Sequence, residues 1–395
     1  QAAKSRITVI RVFGSTTFLF RSESTVTPDL QVASTLKSCE FDSVRAAIFG
    51  TLLPQTQDSG QRVLSERELE VVTALQRDPR ASWATVGELI GANATTASRI
   101  WQRLEHEGLA WTSIYLANYV NVIGYLWISV EPGYLESVAT ALAVHTGIFW
   151  MERLDGDAQL FAGFGAATAQ VVEKLLTAVE SLPGVRQVRS QLSRRVLQDG
   201  AQWLPDTVPP VERSTGHGWL PTQTAPPTPS AREWDAYRIL AANGRTSYTE
   251  LAGSTGLSER TLRRRLPLLL EQGLLASRCD VVRESIGLPL GMIVTVDMQR
   301  GWQTAASVVA RWSATRLVAL ISGDAPLLLH FWVRSTAHGA ELLERISALD
   351  PSVRIATVSF SLRSLKRSYR FIGPSGAVTG IAPFGDGTEL PEVLA

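Results

Sequence analysis

The chain has 395 residues, 45% of them hydrophobic and 19% charged, with a formal net charge of +1. That length exceeds one ordinary domain, and the near-neutral balance excludes a whole-molecule field for nucleic acid, so any basic surface is local. Its two cysteines, Cys39 and Cys279, make neither a disulfide framework nor a metal set; no apolar run reaches membrane-spanning length and the amino end has no signal-peptide pattern, so a cytoplasmic protein with no membrane partner is expected.

Residues 1–60 form an amino-terminal segment of unclear fold. Ile7 to Phe13 and Thr17 to Arg21 read as a short β-pair around Gly14-Ser15, Asp29 to Phe49 as a helix, and Leu52 to Gly60 as a linker. Residues 61–117 follow as a first helix-turn-helix domain, opened by a helix over Glu66 to Gln76. Its central stretch, Arg80 to Leu109, is written again at Arg245 to Leu274, offset by 165 without a gap. Arg80 meets Arg245, Ser82 meets Ser247, Gly91 meets Gly256 and Gly108 meets Gly273. A repeat of this length means one architecture used twice. Asn93 caps the second helix of the first copy; Ala97, Trp101 and Leu104 form its apolar stripe, with Thr95, Ser98, Arg99 and Gln102 outside. Ala110 to Val120 then reads as an extended, wing-like exit.

Residues 120–200 have the order β-α-β-β-α-β. The strands are Tyr125 to Val130, Ile148 to Leu154, Gln159 to Gly165 and Val185 to Leu197; the helices are Tyr134 to His145 and Thr168 to Ser181. That is the ferredoxin-like split βαβ unit. Residues 204–230, with seven prolines between Leu204 and Pro229, are a semi-extended linker. The second helix-turn-helix domain spans 231–283. Its helices are Arg232 to Ala241, Tyr248 to Ser254 broken by Gly256, and a helix capped by Ser258 that runs to about Gln272 and is closed by Gly273. Leu262, Leu266 and Leu269 form the inner stripe, and Arg260, Arg263 and Arg264 lie opposite. Pro267 is expected to kink this helix and confine its straight part to the residues before it. Residues 286–372 repeat the ferredoxin-like pattern: strands Met292 to Asp297, Arg316 to Ile321, Leu327 to Val333 and Val353 to Leu362, helices Trp302 to Trp312 and Ala337 to Leu349. The Gly156-Asp157 turn recurs as Gly323-Asp324, now offset by 167. Residues 373–395 read as a flexible tail. The fold class is therefore α+β: two winged helix-turn-helix domains, each followed by a ferredoxin-like βαββαβ (RAM-type) domain.

A helix-turn-helix places its second helix in the DNA major groove. Between Arg232 and Arg283 nine arginines face six acids, whereas from Gln61 to Ser113 six face seven. Phosphate neutralisation is the main source of DNA affinity, so the second copy is the stronger candidate reader. Its predicted base- and phosphate-contacting set is Ser258, Arg260, Thr261, Arg263 and Arg264. The weaker first set is Asn93, Thr95, Thr96, Ser98, Arg99 and Gln102. Arg245 and Arg80, before the second helix of each unit, are candidate phosphate contacts.

A helix-turn-helix followed by βαββαβ resembles the Lrp/AsnC family of transcriptional regulators, here in a tandem form similar to actinobacterial examples. The resemblance is carried by Asp78-Pro79-Arg80, Gly91 and Asn93, Arg103-Leu104-Glu105, Glu107-Gly108-Leu109 and Gly156-Asp157. In the second half it is carried by Gly244-Arg245, Gly256-Leu257-Ser258, Gly273-Leu274-Leu275 and Gly323-Asp324. It covers roughly residues 64–200 and 231–372. It implies face-to-face pairing of the ferredoxin-like domains, within the chain and in a homodimer or larger assembly. It also implies a transcriptional regulator of double-stranded DNA, with no cofactor but with an amino acid or related small metabolite bound near the glycine hairpins, at Gly156, Asp157, Gly323 and Asp324. The fourth hairpin position is Gln159 in one half and Pro326 in the other, a departure from the family pattern, and an ordinary turn aspartate explains Asp157 and Asp324 as well.

Two other readings stay open. The same architecture resembles siroheme decarboxylases, whose chemistry calls for histidine and arginine beside a cavity of the ferredoxin-like domains. The five histidines, His106, His145, His217, His330 and His338, share no metal-ligand spacing, and no nucleophile triad, phosphate loop or carboxylate pair is framed, so an enzyme is not expected. The third reading is a co-regulator whose helix-turn-helix units dock onto proteins.

Overall fold

The computed structural model describes residues 8–12, 15–19, 41–50, 62–116, 121–200, 203, 230–298 and 301–382. The expected linkers at 52–60 and 204–229, His217, Cys39 and the chain beyond 382 lie outside them. At the amino end, β1 (Thr8–Val12) and β2 (Ser15–Leu19) pair antiparallel with Val12 opposite Ser15, so Ser15 opens the second strand instead of forming the expected turn. Residues 41–49 form helix α1, and its Ile48 is buried in one cluster with Leu365 and Phe371.

Each helix-turn-helix unit is built from locally capped helices. The first has α2 (Glu66–Arg77), α3 (Trp83–Leu89) and α4 (Ala94–His106). Its counterpart has α7 (Ala231–Ala242), α8 (Tyr248–Thr255) and α9 (Glu259–Glu271). Ser65 and Ser230 open α2 and α7 with full capping boxes, and Ser82 and Ser247 cap α3 and α8. A cap of this kind is worth about 1 kcal/mol. Gly256 ends α8 at φ +68°, a left-handed conformation that other residues adopt only with strain. Trp101 and Leu104 of α4, and Leu262, Leu266 and Leu269 of α9, fill the two small cores. Pro267 does not stop α9, which continues one turn to Glu271. The proline is exposed, and Leu266 and Leu269 on either side of it are anchored in the core, so packing offsets the missing hydrogen bond.

The wings of the two units pair with each other. Strands β3 (Ala110–Leu116) and β8 (Leu275–Val281) form an antiparallel ribbon in which Ser113 faces Arg278. These two residues are equivalent positions of the 165-residue repeat, so a pseudo-two-fold axis crosses the ribbon between them.

The ferredoxin-like halves are joined about the same pseudo-symmetry. The first contains β4 (Val122–Val130), α5 (Leu135–Ala143), β5 (Ile148–Leu154), β6 (Leu160–Ala166), α6 (Ala169–Glu180) and β7 (Val185–Gln198). The second contains β9 (Leu290–Asp297), α10 (Trp302–Val309), β10 (Thr315–Ile321), β11 (Leu327–Val333), α11 (Thr336–Ser347) and β12 (Arg354–Arg367). Their sheets run β5-β6-β4-β7 and β10-β11-β9-β12, and β7 pairs with β10 while β12 pairs with β5. Eight antiparallel strands thus close into one ring. Both junctions use the same register: Leu154 faces Ser361, and its repeat equivalent Ile321 faces Ser193.

This closure explains why β12 outruns the predicted stop at Leu362. Residues up to Ser361 pair with β9, and Ser361 to Arg367 continue along β5 of the other half. Between the two sheets lie Tyr125, Trp127, Phe161, Ile293 and Leu328, while helices cover the outer faces with Leu142 and Leu175 on one side and Val309 and Leu342 on the other. The tail expected from residue 373 is ordered as far as 382. Strands β13 (Arg370–Ile372) and β14 (Val378–Ile381) extend β12, and the Val378 N–H donates to the Gly108 carbonyl at 2.9 Å. Phe371, Ile372 and Ala382 are buried, which is what holds a Gly-rich stretch in place.

Candidate DNA-reading face and central cavity

The predicted reader residues fall on the outer faces of α4 and α9. On α9, Arg260, Arg263 and Arg264 are exposed. Arg263 donates to Glu259 and stacks over Tyr248 with its guanidinium 4.8 Å from the ring centre, while Arg260 and Arg264 make no side-chain hydrogen bond or ion pair with the described residues. The equivalent positions on α4 are Thr95, Ser98 and Arg99, so three cations face one. Ser258 and Asn93 are each occupied as N-caps, accepting from Thr261 at 3.1 Å and Thr96 at 2.7 Å. Thr261 also exchanges a hydroxyl contact with Ser258 at 2.8 Å, and Thr96 and Ser98 are half-buried beside exposed Thr95, Arg99 and Gln102. Arg265 is held aside by Glu233 at 2.8 Å.

Arg80 and Arg245 have a different place from the phosphate contacts expected of them. Each reaches across the pseudo-axis into the other unit. Arg245 donates to the carbonyls of Pro79 and Ala81, both at 2.8 Å, and lies 4.0 Å over Trp83. Arg80 donates to the carbonyls of Gly244 and Thr246 and lies 5.2 Å over Tyr248. Pro79 and Gly244, Ala81 and Thr246, and Trp83 and Tyr248 are repeat equivalents, so this is one contact made twice. Burial lowers the pKa of both guanidiniums. Sequence alone reads an arginine on this fold as a phosphate ligand because nothing local reveals carbonyl acceptors about 165 positions away.

The glycine hairpins also differ from expectation. Gly156, Asp157, Gly323 and Asp324 are exposed turn residues, with φ of +77° at Gly156 and +98° at Gly323. Their neighbours serve the ring closure: the Phe360 N–H donates to Asp155 at 2.7 Å, and the Leu192 N–H donates to Ser322 at 3.0 Å. None of the four lines the cavity of the fold.

That cavity, of about 130 Å³, opens between the end of the ring and the wing ribbon. Its first-half wall is mostly apolar, with Ile123, Tyr125, Phe149 and Trp150 beside Gly147 and Gly165, and carries one acid, Asp199. From the second half come Arg316, Leu317, His330, Trp332 and Arg367, and the ribbon adds Tyr115 and Arg278. Arg278 is fully committed to Asp280, with contacts at 2.6 and 2.8 Å. Burial would lower its pKa, but Asp280, Tyr115 and Asp199 together raise it. Arg367 donates to the Val281 carbonyl at 3.1 Å and to Ser364 at 2.8 Å. Arg316 is 5% exposed, and the nearest carboxylate to it among the described ion pairs, Asp280, is 3.5 Å away, with Asp199 a further acid in the lining. It is stacked on Trp332, 3.8 Å from the ring centre, and faces Trp203 at 5.0 Å. Burial pushes its pKa well down, the sign of a guanidinium short of counter-charge.

Behind the wall, Arg283 joins Glu152, Glu284 and Ser361 in a buried polar network. Glu152 also accepts from Trp150 at 2.6 Å and Ser364 at 2.7 Å. Burial alone would raise its pKa, but Arg283 and Arg367 bring it below the usual range. His330 stacks on Trp150 at 4.6 Å, and burial drives its pKa to about 3, so the ring is neutral. Among the described residues, no group of three or more His, Cys, Asp or Glu could hold a metal ion.

A family model described as winged helix-turn-helix DNA-binding matches residues 231–276. Among solved structures, the chain is similar to the siroheme decarboxylase NirDL in co-complex with an iron-uroporphyrin III analogue, at 12% identity and a TM-score of 0.52 over 81% of this chain and 96% of that one. NirDL without that molecule matches over the same shares at 13% identity and 0.51. The leucine response regulatory protein LrpA of Mycobacterium tuberculosis matches 34% of this chain and 92% of its own, at 23% identity and a TM-score of 0.31. No curated protein matches. The fold is that of two Lrp/AsnC-like units, each a winged helix-turn-helix with an antiparallel ferredoxin-like sheet.

Proposed function

We propose that the chain is a transcriptional regulator that binds a specific site in double-stranded DNA, with α9 as its main reader and a small molecule held by the ferredoxin-like domains as its modulator. The observation that carries this reading is the outer face of α9. Three exposed arginines share that face of one recognition helix, and two of them, Arg260 and Arg264, have no side-chain partner among the described residues. Long cationic side chains without partners are what phosphate and guanine recognition requires. The winged helix-turn-helix match over residues 231–276 supports the same assignment. Unequal outer faces on α4 and α9 would make the recognised site asymmetric. Binding to genomic fragments at several salt concentrations tests this, beside Arg260→Ala/Arg264→Ala. If both arginines neutralise phosphates, the double variant lowers the slope of log affinity against log salt by about 2. Absence of fragment-selective binding at low salt, with the fold intact, would refute the reading.

A tetrapyrrole-handling enzyme is the second reading. It is favoured by the whole-chain likeness to a siroheme decarboxylase together with an arginine-bearing cavity beside His330. A cavity near 150 Å³ holds about one benzene ring, so 130 Å³ would have to open widely for a tetrapyrrole. Titration with iron uroporphyrin III decides it: a shifted visible absorption band at stoichiometric protein supports this reading, and an unchanged spectrum excludes it.

A further inference from the structure

The cavity has an internal asymmetry that bears on what it accepts. It straddles the pseudo-two-fold axis, and five pairs of its lining residues are repeat equivalents: Phe149 with Arg316, Trp150 with Leu317, Gly165 with Trp332, Asp199 with Arg367, and Gly200 with Ser368. At three pairs (Phe149 with Arg316, Gly165 with Trp332 and Gly200 with Ser368) the second half supplies the charged or larger residue, and at Asp199 with Arg367 the two halves supply opposite charges. At Gly200 a Cβ would lie 2.7 Å from Arg316 Nη2, so any side chain there would push the guanidinium end from its place. The result is a pocket with an apolar aromatic side, built from Ile123, Phe149 and Trp150, and a cationic side centred on Arg316.

Charge at the wall sets the sign of a ligand. Arg278, Arg316 and Arg367 are set against Asp199 in the lining and Asp280 behind it, which leaves 3 − 2 = +1. The adjoining Arg283, Glu152 and Glu284 bring the whole cluster to zero, but none of those three lines the cavity. Arg278 and Arg367 spend their donors on protein acceptors. Arg316, with a single hydrogen-bond contact among the described residues, at 3.5 Å, keeps donors open, and its guanidinium plane is fixed by the stack on Trp332. A planar guanidinium with free donors recognises a carboxylate bidentately. The volume, a little under that of a cavity that takes benzene, limits the enclosed part of a ligand to about one ring, and the open side of the cavity leaves room for a substituent.

We infer that the cavity is a binding site for a small aromatic monocarboxylate, its carboxylate on Arg316 and its ring between Ile123, Phe149 and Trp150. Arg316 is itself buried, and a carboxylate on a buried guanidinium makes a strong charge-assisted pair. The aromatic wall meets the ring at centroid spacings of the kind Trp150 already keeps with Phe161 and His330, 4.8 and 4.6 Å. The site stands on the cavity alone and does not rest on the DNA-binding reading.

Benzoate and phenylacetate are the probes, titrated into the full chain without DNA, with calorimetry and tryptophan fluorescence as readouts. Saturable one-to-one binding of at least one acid, with benzyl alcohol at least tenfold weaker, is expected. Arg316→Gln should remove that discrimination, reducing affinity for the acid at least tenfold and leaving benzyl alcohol unchanged. Ile123→Phe, which fills the apolar side and touches no charge, should abolish binding of both, and it keeps the test valid if Arg316→Gln folds poorly. No saturable binding of either acid by the wild-type chain overturns the proposal. So does binding that survives Ile123→Phe, tighter binding of zwitterionic phenylalanine than of phenylacetate, or stoichiometric uptake of iron uroporphyrin that expels the acids.

Discussion

Replacing Arg245 by alanine tests the reciprocal clasp between the helix-turn-helix units. The change deletes two hydrogen bonds to the carbonyls of Pro79 and Ala81, both at 2.8 Å, and the stack on Trp83 at 4.0 Å. A hydrogen bond from a charged donor contributes about 1.5–3 kcal/mol, and a cation over an aromatic face about 0.5–2 kcal/mol. Part of this is offset, because Arg245 is desolvated and lies near the like charge of Arg80. A net local loss of about 3 kcal/mol follows, which is about two decades in a local opening equilibrium. The chain has several cooperative parts, so a single unfolding transition is a poor probe; amide hydrogen exchange resolved by segment is better. Exchange should accelerate about a hundredfold both in the residues around Arg245 and across the axis, at residues 79–83. Arg80→Ala should produce the mirror pattern, and the double variant should lose less than the sum of the two singles, as coupled sites do. Acceleration confined to the mutated unit, or strict additivity, would refute the clasp. It would return both arginines to the role of phosphate contacts, in which case the variants would lower the salt slope of DNA binding and leave exchange alone.

Other outcomes are expected elsewhere. Glu152→Ala leaves the fully buried Arg283 with Glu284 as its remaining carboxylate and removes the acceptor of Ser364 and Trp150, and should destabilise the chain by about 3 kcal/mol in urea, with Glu152→Gln milder because it keeps hydrogen bonds to Ser364 and Trp150. The Lys366 ammonium is buried on the carbonyls of Ala143 and His145, at 2.7 and 3.0 Å, and burial lowers its pKa to about 7. The unfolded chain then binds more protons than the folded one from about pH 7 to about 10.4, so this group makes stability rise with pH across that window. Below pH 7 both states are charged and its contribution is flat. Cys279, pushed up by burial, acts oppositely above about pH 8.5, so the clean window is pH 7–8.5. Lys366→Met should flatten the difference measured there; an unchanged slope would mean the lysine is neutral or solvated throughout. At Gly108, φ is +67° and a Cβ would lie 2.7 Å from the Val378 carbonyl oxygen. Gly108→Ala should therefore cost about 1–2 kcal/mol from the left-handed backbone alone and release the β13–β14 hairpin to proteolysis; continued protection of residues 370–382 would count against that docking.

Local chemistry was legible in the sequence. The gapless 165-residue repeat, the Ser and Asn caps and the Leu262, Leu266 and Leu269 stripe each predict a helix within one or two residues of where it lies. Contacts between the halves were not. Val353 to Leu362 alternates as a strand, but Arg363 to Arg367 forms one only because β5 supplies a partner. Arg80 and Arg245 look like surface cations until the second unit brings its carbonyls. The tail beyond Phe371 is rich in glycine and proline, and its order depends on Gly108, some 270 positions earlier. The cavity draws on residues from Tyr115 to Tyr369, and no spacing rule connects a set so dispersed. His330 was visible as a histidine inside a strand, but its arginine neighbours were not.

Ring closure sets a clock on synthesis. Strand β5 ends at Leu154 and meets its partner only when β12 is complete at Arg367, so 367 − 154 = 213 residues separate the two edges. At about 5–20 residues per second, the first half waits about 10–40 s with open strand edges at β5 and at the far end of β7. An unpaired edge invites pairing with a neighbouring chain. Along the waiting stretch of β7, Arg194 and Arg195 are adjacent, and both remain exposed in the finished ring. Two cations side by side repel the same strand on another nascent chain. The arginine pair thus guards the seam until the second half arrives to close it.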